Sequence, residues 1–139
     1  MQNKKTDFLN AHQRHWRDAE LLFQQQRWAN ADHLYGFSAE CGLKALMIEF
    51  GMPHTDSYPE REKDRKHIDK VWCRYSTYQE GHDKGPGFAL PATEPFSNWN
   101  ASDRYAHDNQ FSELDTTNHR IAADLIWQLI KKAQRDGLL

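Results

Sequence analysis

Arg104 and His107, followed by the adjacent pair His119 and Arg120, are the residues whose types and spacing best suit proton transfer beside an anion. A histidine takes and returns protons near neutral pH, and an arginine grips an oxyanion through two parallel N–H bonds. If the chain around Arg104 is helical, the i, i+3 spacing puts Arg104 and His107 on one face. The plainer use of Arg104 is an ion pair with Asp103, Asp108 or Glu40 that stitches a loop to the body of the protein.

Glu40 and Lys44 form a second pair, at i, i+4 in the orientation that favours pairing along a helix. Their reading is mainly structural, because burying ions stabilises little by itself. His12, His15 and Asp18 recur at three-residue steps and mimic a ligand set. Three ligands from one helix do not enclose a metal without a fourth from elsewhere, so a solvated or half-buried polar stripe is expected and no metal or other cofactor. The loop HDKGPGF, His82 to Phe88, is glycine-rich but lacks the lysine spacing of a phosphate loop. Cys41 and Cys73 fall on expected helices without metal-type spacing and read as buried free thiols of a reducing compartment.

These residues need helices to position them, and the pattern supplies four. Phe8, Leu9, His12, Trp16, Ala19, Leu22 and Phe23 predict a first helix over about Thr6–Gln26, capped by Thr6 or Asp7. Asn30–Gly51 carries two apolar stripes, one through Leu34, Phe37, Cys41, Ala45 and Ile48 and one through Tyr35, Ala39, Leu43, Leu46 and Phe50. A helix apolar on two sides must lie between neighbours. Asn30 is its expected N-cap, and Gly51 with Pro53 beyond supplies the stop. The short connection predicts an antiparallel hairpin.

Pro53–Lys66 is dense in charge and reads as a solvated loop. A third helix is predicted over His67–Gln79, with Ile68, Val71, Trp72 and Tyr75 inward. Glu80–Asn98 is the least regular stretch and reads as a long functional or mobile loop, its His82–Phe88 part as a disordered insertion or a flap over a groove. Trp72, Tyr75, Tyr78, Phe88, Phe96, Trp99 and Tyr105 concentrate in this half, to pack loops onto helices or, less simply, to stack a base. Trp99–His107 reads as a short helical turn. The last helix is predicted over Asp115–Asp136, with Ile121, Leu125, Gln128, Leu129 and Lys132 on one face and Ala122, Ile126 and Ile130 widening it. The expected fold is therefore all-α, an up-and-down bundle of four main helices plus a short turn, in one domain over residues 1–139.

The 139 residues suffice for a core without staples. A net charge of −2 gives no global field to attract nucleic acid. No run approaches the ~18 apolar residues of a membrane span, and no signal peptide is visible, so a cytoplasmic location without membrane attachment is expected.

The first helix ending WRDAELLFQQQRW, followed by ADHLYGFSAECGLKALM with Glu40 and Lys44, resembles the HEPN (higher eukaryotes and prokaryotes nucleotide-binding) superfamily. His67-Ile68 opening the third helix and the W-x4-R-Y of Trp99–Tyr105 fit the same pattern. The resemblance implies a helical bundle that homodimerises and binds a nucleotide or RNA, with Glu40, Lys44 and Tyr105 as binding residues. It also implies a nucleotidyltransferase or antitoxin as partner. Many such domains are metal-independent ribonucleases carrying R-x(4–6)-H near the start of the last helix. This chain departs from that signature. It has Arg104-x2-His107 and the reversed His119-Arg120 there, which leaves Arg104, His107, His119 and Arg120 as a degenerate catalytic set. Two formal matches, Arg27–His33 and Arg61–His67, lie elsewhere, and chance alone supplies roughly one or two. The leading expectation is a nucleotide- or RNA-binding accessory or partner-binding protein without robust catalysis. A toxin- or defence-type endoribonuclease and a structural helical adaptor are the alternatives.

Overall fold

The computed structural model describes residues 4–139. Four helices form an all-α bundle: α1 (Phe8–Gln24), α2 (Trp28–Glu49), α3 (Ile68–Gln79) and α4 (Glu113–Arg135). The Asp7 carboxylate caps α1 by accepting the Asn10 N–H at 2.9 Å. Gln26 adopts a positive φ of 61° and ends α1, while the N–H groups of Gln26 and Arg27 return to the carbonyls of Phe23 and Leu22 at 3.0 and 2.9 Å. So tight a turn leaves no separate cap for the next helix. Helix α2 starts at Trp28 with no side-chain cap, and Asn30 lies inside it rather than at its N-cap. Gly51, at φ 100°, stops α2 as expected, and the Met52 N–H closes onto the Met47 carbonyl at 2.9 Å.

Helix α2 is the central rod: fourteen of its twenty-two residues are buried, and α1, α3 and α4 all pack on it. Contacts of Ser38 with His12, Tyr35 with Glu20, and Trp28 with Phe23 show α1 and α2 antiparallel. Three expectations change. Asp64, in the charged 53–66 segment, is completely buried, accepting from Arg74 Nε at 2.8 Å and from the Tyr78 hydroxyl. His12 is fully buried rather than solvated or half-buried, and Cys73 is exposed, its thiol donating to Glu94 at 2.8 Å. Both cysteines are free, and burial pushes the Cys41 thiol up to about 12.

The irregular stretch after α3 is packed rather than an open insertion. Short turns at Gly85–Phe88 and Ala101–Tyr105 bracket buried Phe88, Phe96 and Trp99, and the Tyr75 hydroxyl donates to the Phe88 carbonyl at 2.8 Å. The Ser112 hydroxyl caps α4, accepting the Asp115 N–H at 3.1 Å. Its core stripe is Ala122, Ala123, Ile126, Ile130 and Ala133, whereas Ile121 is 64% exposed. On the adjoining face Leu125 and Leu129 are half-buried against the core, while Ile121 and Gln128 are exposed. One stripe is enough to meet α2, and small residues on both helices allow close approach. No helix among the described residues is long and apolar enough to cross a membrane.

Gly36 on α2 lies directly under the Trp99 indole, so that a Cβ there would sit 2.2 Å from Trp99 Cε2. Gly36→Ala must displace the indole and the segment that carries it. Urea denaturation followed by circular dichroism should show a loss of about 1–3 kcal/mol, as overpacking of a fitted core does.

Candidate functional site

Three imidazoles from three elements meet around one half-buried ring, Phe37 of α2. His15 of α1, His33 of α2 and His67 at the N-cap of α3 have ring centroids 5.8, 4.7 and 5.7 Å from it. Trp99 closes the group edge-on to Phe37 at 5.6 Å, stacked on His33 at 5.5 Å and 6.3 Å from His67. The i, i+4 spacing of His33 and Phe37 places both on one side of α2. Trp99 arrives because Gly36 leaves room for it and the Asp32 carbonyl accepts its Nε1–H at 3.2 Å.

Glu40 and Lys44 lie beneath this group. The carboxylate of Glu40 receives the Lys44 ammonium at 3.0 Å on one oxygen and His67 Nδ1 at 2.9 Å on the other. Lys44 also donates to the Lys66 carbonyl at 2.8 Å. Both charged groups are buried and spend their hydrogen bonds inside the protein. As placed, they orient His67 at the start of α3.

The imidazoles are driven in opposite directions. The hydrogen bond that His67 donates to the Glu40 carboxylate raises its pKa above the ordinary 6.5, against an opposing effect of burial. Burial and the nearby Arg104 lower that of His33. Burial and Arg14 lower that of His15. The Nδ1 of His33 is buried with no hydrogen-bond partner. An imidazole of raised proton affinity and two of lowered affinity thus share one aromatic group, with guanidinium groups of Arg14 and Arg104 within electrostatic reach.

The four residues of the degenerate catalytic set are used separately. His119 is 2% exposed, with Nδ1 at 2.6 Å from Asp32 Oδ2 and Nε2 at 2.7 Å from Asn98 Oδ1, and its ring stacks on Phe96. Arg120 grips Glu20 of α1 through two bonds of 2.7 and 2.9 Å and lies over the Phe23 ring. That pairing holds the Glu20 carboxyl below its ordinary range, and Glu20 also accepts from the Tyr35 hydroxyl. Arg104 is exposed and covers the ring of its neighbour Tyr105, itself 80% exposed. His107 is exposed, accepting the Asn109 N–H at 3.1 Å as a local cap. Only Arg104 of the four is associated with the Phe37 group.

His33, Phe37, His67 and Trp99 carry this site, and nothing in the order of residues marks the four as a set. One signal was present. The two formal arginine–histidine matches away from the expected place end on His33 and His67, the histidines that meet here. No group of three or more potential metal ligands occurs among the described residues. Comparison with protein-family models, with curated proteins and with solved structures finds no match.

A proton held more tightly by the folded chain stabilises it at low pH. The contribution of His67 is complete below pH 6.5 and is lost as pH rises through its higher folded value. His33 acts inversely: its contribution is present above pH 6.5 and is lost as pH falls through its lowered value. In an NMR titration of the imidazole carbons, His67 should titrate above 6.5 and His33 below it. Glu40→Gln should move the His67 midpoint downward and leave that of His33 nearly unchanged.

Proposed function

We propose that this protein binds a nucleotide or a short single-stranded RNA on the face centred on Phe37, as a HEPN-like accessory protein without robust catalysis. The observation that carries the reading is the grouping of half-buried Phe37 and His33 with exposed His67 into one partly open face, backed from inside by the buried Trp99 indole. Bases stack on such rings at about 1–3 kcal/mol each, with little demand on sequence. Phosphates need cations beside the rings, and Arg14 and Arg104 supply them locally although the whole chain is slightly acidic. Catalysis by His119 and Arg120 is disfavoured because their functional atoms are committed to Asp32, Asn98 and Glu20.

A second reading, metal-independent cleavage of RNA, is favoured by one observation. Two titratable groups pushed apart in proton affinity share the face, which is the division of labour that general acid–base catalysis uses.

Fluorescence anisotropy with a labelled single-stranded RNA in chelator-containing buffer tests both readings. Binding should weaken by at least about tenfold in Arg104→Ala or Phe37→Ala, and the salt dependence should shallow by about one counterion per arginine removed. Unchanged affinity in both variants sinks the binding reading. Cleavage of the same RNA that disappears in His33→Ala or His67→Ala, with the fold intact, replaces it by the second.

A further inference from the structure

Among the described residues, three side-chain nitrogens are buried without a hydrogen-bond partner: His12 Nε2, His33 Nδ1 and Trp72 Nε1. A neutral imidazole has one unprotonated ring nitrogen, so each histidine can leave its bare nitrogen at that position. An indole nitrogen always carries its proton. Trp72, only 5% exposed, therefore holds a buried donor that the fold itself does not satisfy.

Trp72 stands where two grooves meet. One, of about 340 Å³, runs between α3 and the 89–94 segment; the other, of about 430 Å³, lies between Pro91, Pro95 and the Ile121–Leu125 side of α4. Trp72, Pro91 and Thr93 border both, so residues 91–93 cross between them as a strap. Among the described residues no hydrogen bond joins 89–93 to α3 or α4, and the nearest polar tie is the Cys73 thiol donating to Glu94 at 2.8 Å. Lifting the strap to uncover the indole thus breaks little.

The lining states what would fit. Both grooves have the size and the largely apolar walls of a small-molecule site. Their charged members are Glu80, Glu94 and Asp124, all acidic, so an anion is repelled. Neighbouring donors are spent: the Tyr75 hydroxyl on the Phe88 carbonyl, the Gln79 amide on the Gly85 carbonyl and the Ser76 hydroxyl on the Cys73 carbonyl. The Trp72 N–H remains. A flat ring suits the space between an indole and prolines. We propose that a small, non-anionic aromatic molecule bearing a carbonyl oxygen binds here, lifting the 91–93 strap and accepting the Trp72 Nε1–H. No residue bordering these grooves belongs to the Phe37 group, so the two sites are separate.

Prodan, an uncharged naphthyl ketone whose emission reports hydrogen bonding to its carbonyl, tests this on the full chain. Anilinonaphthalene sulfonate is the anionic comparator. Prodan should bind saturably and more tightly than the sulfonate, and Trp72→Phe should weaken it by about tenfold, the scale of one lost hydrogen bond. In nitrogen–proton NMR spectra of the wild type, the Trp72 indole proton should move downfield on adding Prodan. That of Trp99, already held by the Asp32 carbonyl, should stay in place. Cys73→Ala, at an exposed position, frees the strap and should tighten binding severalfold with circular dichroism unchanged. A Trp72 indole proton that Prodan leaves unmoved overturns the proposal, as does an affinity indifferent to either substitution. Tighter binding of the sulfonate overturns it as well.

Discussion

Glu40 and Lys44 place two formal charges inside the bundle, at 6% and 5% exposure, where an unmet charge is costly. The rest of the structure is arranged to meet them. Lys44 reaches the Lys66 carbonyl and His67 closes on Glu40, so the returning 53–67 segment and the start of α3 are both anchored to the middle of α2. Hydrophobic contact alone would let α3 slide along the rod. A carboxylate with two named partners sets where α3 begins, and with it where His67 stands relative to Phe37.

The same economy of polar burial recurs around α2. Asp32 receives His119 of α4, and its carbonyl receives the Trp99 indole, so one turn of α2 holds both the last helix and the segment before it. Glu20 of α1 takes Arg120 of α4 and the Tyr35 hydroxyl of α2. Polar groups inside this bundle therefore act as locators between elements. They specify one packing among several that the apolar stripes alone would tolerate.

That arrangement also sorts the histidines. His12, in the core, has its pKa lowered to about 4 by burial, while His67 gains a carboxylate and moves the other way. His33 lies between the two situations, half-buried beside Trp99 and within reach of Arg104. The differences arise from distance to the bundle axis and from neighbours on other helices. Residue type carries none of that information.

What was legible in the amino-acid order was local. Four helices, the Asp7 cap, the Gly51 stop, the Glu40–Lys44 pair and the interior position of α2 follow from periodicity and from backbone chemistry within a few residues. The start of α2 and the buried Asp64 escaped it, because each depends on how a neighbouring element lies. The site escaped it for the same reason. Phe37 reads as one more apolar stripe residue, and His119 and Arg120 read as free chemistry. Only the packing of α1, α3, α4 and the Trp99 segment on α2 leaves Phe37 partly open among imidazoles and presents Asp32 and Glu20 as acceptors. Helical periodicity reports which way a side chain points from its own axis. What stands opposite is decided when distant parts of the chain close the core.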